Sequence, residues 1–170
     1  MTSDGPVLPA VVRRAEEAER IGHGAEQLSY LLEPDETGGG LALIERVVAP
    51  NFATPPQFHA HPGHDWLAYM LDGTLRVELE DRVVELPRGG SAFVPRGTFF
   101  RWSNPRNAPA RGLFFYTPGD FVGYFREVVY LARRRAERVH DYDETLGDIL
   151  KAQDRYGLVR RPLDRLVLEA

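Results

Sequence analysis

From about Gln27 onward, short apolar segments alternate with clusters of turn-forming residues: "LSYLL" gives way to "EPDETGGG", and "LALIERVV" to "APNFATPP". Each apolar segment has the length of a strand rather than of a helix. In "TLRVELEDRVVEL", Leu75, Val77 and Leu79 fall on one face and Arg76, Glu78 and Glu80 on the other. That period of two predicts a strand, a turn near Asp81 and a returning strand. After the "PRGG" break, "SAFVP", "FFRWSN" and "ARGLFFYT" predict three more strands. With no helices between them, these segments predict an all-β sandwich, jelly roll or barrel over residues 27–117, not a parallel α/β sheet.

The flanks have a different texture. Residues 1–26 read as an N-terminal leader or arm, within which "VVRRAEEAERI" has the composition of a short helix. Past "TPGD" the period changes. Phe121, Phe125, Val128 and Ala132 recur at helical spacing, and Asp120 is placed to cap a helix running to about Val139. A second helix is predicted from Asp143 to Tyr156, stopping at Gly157. Residues 118–170 are thus a C-terminal helical extension, expected to pack outside the β domain or on a partner subunit, with Phe121, Tyr124 and Phe125 as packing residues.

A chain of 170 residues is about one domain long. Its net charge of -4 lacks the basic surface that nucleic-acid binding needs. With no cysteine, disulfides, thiol chemistry and thiolate zinc sites are excluded. No apolar run approaches the ~20 residues that span a bilayer, and the first residues lack the apolar core of a secretory signal. A soluble cytoplasmic protein is the expectation.

The stretch "HAHPGHDWLAYMLDG", His59 to Gly73, carries the candidate chemistry. On a strand Gln57, His59 and His61 face the same side. Two neutral imidazoles there offer lone pairs to Fe, Mn, Ni, Cu or Zn. With an ordinary pKa near 6.5 they also exchange protons at neutral pH, while Gln57 polarises a substrate oxygen. The same alternation places Trp66, Ala68 and Met70 on one wall, and Phe100 and Trp102 on another. Trp66, Met70, Phe100 and Trp102 are therefore the candidate contacts to a flat, largely apolar ligand. No competing nucleophile motif or phosphate loop is present, and "TGGGL" reads as a turn.

The order of these motifs resembles the cupins. In that family's first signature an HxH pair is followed by a glutamate and then a glycine; His59, His61 and Gly73 match. The stretch "GGSAFVPRGTFFRWSN" is similar to the second signature, with Gly89, Pro95, Gly97 and Asn104 in register. The resemblance runs from about Val12 to Gly157. It is to the small bacterial single-domain cupins called quercetin-dioxygenase-like, which would make part of the Val11–Ile21 segment a strand. It implies a jelly-roll β-barrel with the helices outside, and a homodimer. It also implies a divalent metal held by histidines and the glutamate, yet the glutamate position is Trp66 and the second-signature histidine position is Phe100. Asp65 and His64 are the nearby substitutes, Asp65 facing away from the pocket on a regular strand and His64 lying in an exposed turn. No cofactor is therefore expected.

Three readings follow. One is a metal-independent acid-base cyclase, isomerase or dehydratase acting on an aromatic or polyketide-like molecule. The second is a metal-dependent dioxygenase of quercetinase type, and the third a non-catalytic ligand sensor.

Overall fold

The computed structural model describes residues 7–23, 25–54, 58–137 and 142–161. The strands are β1 (Glu19–His23), β2 (Glu26–Leu32), β3 (Ala42–Val48), β4 (His59–Ala60), β5 (Asp65–Asp72), β6 (Thr74–Leu79), β7 (Val83–Pro87), β8 (Ser91–Val94), β9 (Phe100–Ser103), β10 (Ala110–Thr117) and β11 (Val159–Arg160). Helices α1 (Gly123–Glu137) and α2 (Tyr142–Arg155) lie between β10 and β11. Among the described residues the strands form two antiparallel sheets, ordered β1-β2-β3-β10-β5-β8 and β11-β4-β9-β6-β7. This is consistent with the jelly roll that the cupin resemblance implies, one of the three architectures the strand pattern allows, with its two sheets hydrogen-bonded as separate units rather than as one closed barrel.

Alternation explains the core. Ala42, Ile44, Arg46 and Val48 of β3 are buried while the residues between them are not, and Ala110, Gly112, Phe114 and Tyr116 of β10 do the same. The register sets large residues beside small ones, with Gly112 opposite Met70 and Phe114 opposite Ala68. Glycine is required where β5 turns into β6. Gly73 has φ 71, and a Cβ there would lie 2.8 Å from the Ala110 Cα.

The ambiguous N-terminal segment resolves into a tight turn at Ala15–Glu17 and then β1, which pairs with β2 at the sheet edge. Asp120 does not cap α1. It sits inside a tight helical turn, Gly119–Val122, that leads directly into α1, and its carboxylate turns toward His64 instead. Helix α2 ends as expected, with Gly157 at φ 67. The helices lie outside the sheets but roof the space between them. Arg126 of α1 reaches Glu19 of β1 and Glu33 just past β2, each at 3.1 Å, and lies over the Tyr30 ring.

Asn104 ties the β3–β4 loop to its own β9–β10 loop from a fully buried position. Its amide nitrogen donates to the Ala49 and Ala108 carbonyls at 2.9 and 2.8 Å, and its oxygen accepts from the Arg106 N–H at 3.1 Å. Asn104→Ala would leave these backbone groups unpaired. It is expected to lower stability by about 2–3 kcal/mol, read as a reduced urea midpoint at unchanged slope.

Candidate functional site

A cavity of about 360 Å³ lies between the sheets beneath α1 and α2. Its position follows from the sequence alternation: Trp66 of β5 comes from one sheet, and Phe100 and Trp102 of β9 from the other. Trp66 and Phe100 meet across the sandwich with ring centroids 4.9 Å apart. Two positions where the cupin pattern would put metal ligands are thus in aromatic contact. Met70, expected in the same wall, is instead buried in the core away from the cavity lining, its sulfur beside Gly112.

His59 and His61 both line the cavity, with ring centroids 5.2 Å apart and planes at 85°. His59 stands in a row across three strands, opposite Phe100 on β9 and Arg160 on β11. His61 packs its ring 4.2 Å from Phe121 of the roof. Burial disfavours the charged imidazolium, so His59 is pushed down to about 4, with Arg160 and Arg46 adding to the effect. Burial likewise pushes His61 down to about 3, assisted by His59 and His64. Both are neutral at physiological pH. The His61 Nδ1 is buried with no hydrogen-bond partner in the protein, which leaves a ring nitrogen for a ligand to satisfy. Gln57, the proposed polarising group, lies outside the described residues.

The sequence-predicted substitutes are committed elsewhere. His64 is buried rather than exposed, and its Nε2 lies 2.8 Å from the Asp120 carboxylate. Asp65 makes a bidentate pair with Arg96, which holds its carboxyl down to about 2. The cavity carboxylate, Glu26, is ion-paired to Arg46. Among the described residues no group of three His, Cys, Asp or Glu side chains converges on a common point. Two imidazole nitrogens fall short of the three protein ligands that catalytic zinc sites use. Among the described residues the donor set does not fit a tightly held divalent cation.

The family model described as "Cupin domain" matches residues 45–116. The chain carries a cupin domain. It is similar to the tetracenomycin polyketide synthase protein TcmJ of Streptomyces glaucescens, 33% identical over 89 residues. That match covers 52% of this cupin and 58% of the relative, so the chain spans little more than half of TcmJ's length. Among solved structures it resembles the polyketide cyclase RemF from Streptomyces resistomycificus, with TM-score 0.53, 22% identity and coverage of 65% of this chain and 80% of that one. An RmlC-like cupin from Shewanella frigidimarina gives TM-score 0.53 at 17% identity, covering 65% and 92%. At these identities the structural likenesses establish the shared fold.

The cupin site also contains residues that motif reading passed over. Arg46 is 2% exposed, with its guanidinium carbon 4.8 Å from the Trp102 and Phe125 ring centroids and 5.1 Å from that of Phe114. Its signal was present in "LALIERVV", where it shares the inward parity of Ala42, Ile44 and Val48. Tyr116 lies beside it, pushed up to about 12 by burial and therefore a hydroxyl donor at neutral pH. The roof residues Tyr124 and Gln153, joined by a 3.0 Å hydrogen bond from the Gln153 amide, had no motif to mark them. Nor did Arg160.

The buried imidazoles make stability depend on pH. The unfolded chain protonates them near pH 6.5, whereas the folded chain does so only near 4 and 3, so the unfolded state binds more protons in between. Stability is fully present above pH 6.5 and falls on acidification toward pH 4, by about 1.4 kcal/mol per pKa unit for each histidine. Urea unfolding across this range is expected to show a shallower fall in His61→Leu than in the parent protein. Equal slopes would mean that His61 is not held neutral.

Proposed function

We propose that this cupin binds a flat, polyketide-like aromatic molecule between Trp66, Phe100 and Trp102. It cyclises, isomerises or dehydrates that molecule by acid-base chemistry on His59 and His61, without a metal. The observation that carries the reading is the pairing of two uncharged imidazoles, His61 with an unpartnered Nδ1, with facing aromatic walls in one cavity. The names of two relatives agree with it: TcmJ belongs to a polyketide synthase and RemF is a polyketide cyclase. The protein is taken as a homodimer, as the cupin resemblance implies, and as cytoplasmic, as the sequence leads us to expect.

In this mechanism one imidazole removes a proton from a carbon flanked by two carbonyls. The enolate carbon attacks a third carbonyl to close the ring, and the imidazolium protonates the alkoxide so formed. An imidazole then takes the second proton from the same carbon and delivers it to the new hydroxyl, which leaves as water as the double bond forms. Burial makes these imidazoles weak bases on their own. A developing enolate within a few ångströms reverses that, because opposite charges attract strongly where water is excluded. The aromatic walls hold the chain folded for attack, and Gln57 polarises the carbonyl that accepts the new bond.

The test is incubation with a linear aromatic triketone, followed by mass spectrometry for a product one water lighter. His59→Ala or His61→Ala is expected to slow the reaction by about 100-fold or more. Full activity in both variants would overturn the assignment of roles. Metal analysis of protein purified without chelator is expected to give substoichiometric metal. A stoichiometric metal that disappears in His61→Ala, with a rate that follows metal content, would replace this mechanism with a metal-dependent one.

A further inference from the structure

We propose that the ligand carries a carboxylate and that Arg160 receives it beside His59. This rests on the aromatic-ligand reading above and adds the ligand's charge and its orientation. Among the described residues lining the cavity, three carry formal charge at neutral pH: Glu26, Arg46 and Arg160. Arg46 and Glu26 neutralise each other, and the Arg46 guanidinium is boxed in by Trp102, Phe114 and Phe125. Arg160 has no such partner. It is half-buried in the cavity wall and, among the described residues, its side chain makes no hydrogen bond or ion pair. Its neighbour Arg161, just past the strand, pairs with Glu80.

A guanidinium set into a largely apolar wall is partly stripped of water, and that state is costly without an anion. The planar fork of arginine suits a carboxylate, which it can hold by two parallel hydrogen bonds. Register supplies the geometry. Arg160, His59 and Phe100 occupy successive strands β11, β4 and β9 at one level, so their side chains share a face. An aromatic acid anchored on Arg160 would lay its ring toward Phe100 and Trp66 and present the carbon next to its carboxylate to His59. Arg160 would thus determine specificity by fixing which atom of the ligand meets the imidazole.

The two tryptophans of the chain, Trp66 and Trp102, both line the cavity and report binding by fluorescence. The probes are a naphthoate and the matching naphthamide, equal in shape and different in charge, titrated at pH 7 into the intact protein. The naphthoate is expected to bind about tenfold more tightly, the scale of one charge-assisted pairing. Arg160→Met is expected to bring the naphthoate to the naphthamide's affinity while leaving the naphthamide unchanged, and that unchanged value shows that the variant is folded. Equal affinities in the parent protein, or a preference that survives Arg160→Met, would overturn the proposal and leave the aromatic-ligand reading standing. Failure of both probes to bind would overturn the aromatic-ligand reading, and the carboxylate with it.

Discussion

Burial between the sheets governs the character of the site. A polar group that enters an apolar interior must bring a partner or give up its charge. Arg46 brings Glu26 and lies against three aromatic rings, so it keeps its charge at full burial. His59 and His61 have no such partners, and they relinquish theirs. Tyr116 holds its proton for the same reason. The chemistry open to the cavity, neutral imidazoles and hydroxyl donors facing aromatic walls, is thus set by burial before any ligand arrives.

Most of the fold was legible because antiparallel strands write their two faces into the sequence as a period of two. The segment "ARGLFFYT" reads as a strand and is β10 from its first residue to its last. The segment containing Val11–Ile21 was not legible, since its charged composition suits a helix while its place at the edge of β2 makes part of it a strand. Pairing across the sheet overrode local preference there.

At the site, strand parity put His59, His61, Trp66, Phe100 and Trp102 on inward faces, and all five line one cavity, but parity could not judge depth. Met70 shares the parity of Trp66 and lies too far along β5 to reach the opening. Parity could also have exposed Arg46, had a charge among inward positions been weighed as heavily as a histidine motif. Arg160 and His64 were beyond such reading. The first lies on a two-residue strand with no periodicity, and the second depends on Asp120 arriving from a distant turn.

Strand β11 has a further consequence for how the protein is made. It pairs residues 159–160 with residues 59–60, so the row containing His59 is completed only after nearly all of the described chain has been synthesised. During elongation the two sheets can come together around Trp66 and Phe100 while α1, α2 and β11 are still absent, leaving aromatic surface uncovered. Contacts so distant in sequence close slowly. The last part of this cupin to assemble is therefore the roof and rim of its own cavity, and a nascent chain passes through a stage in which the ligand-facing rings are open to any apolar neighbour.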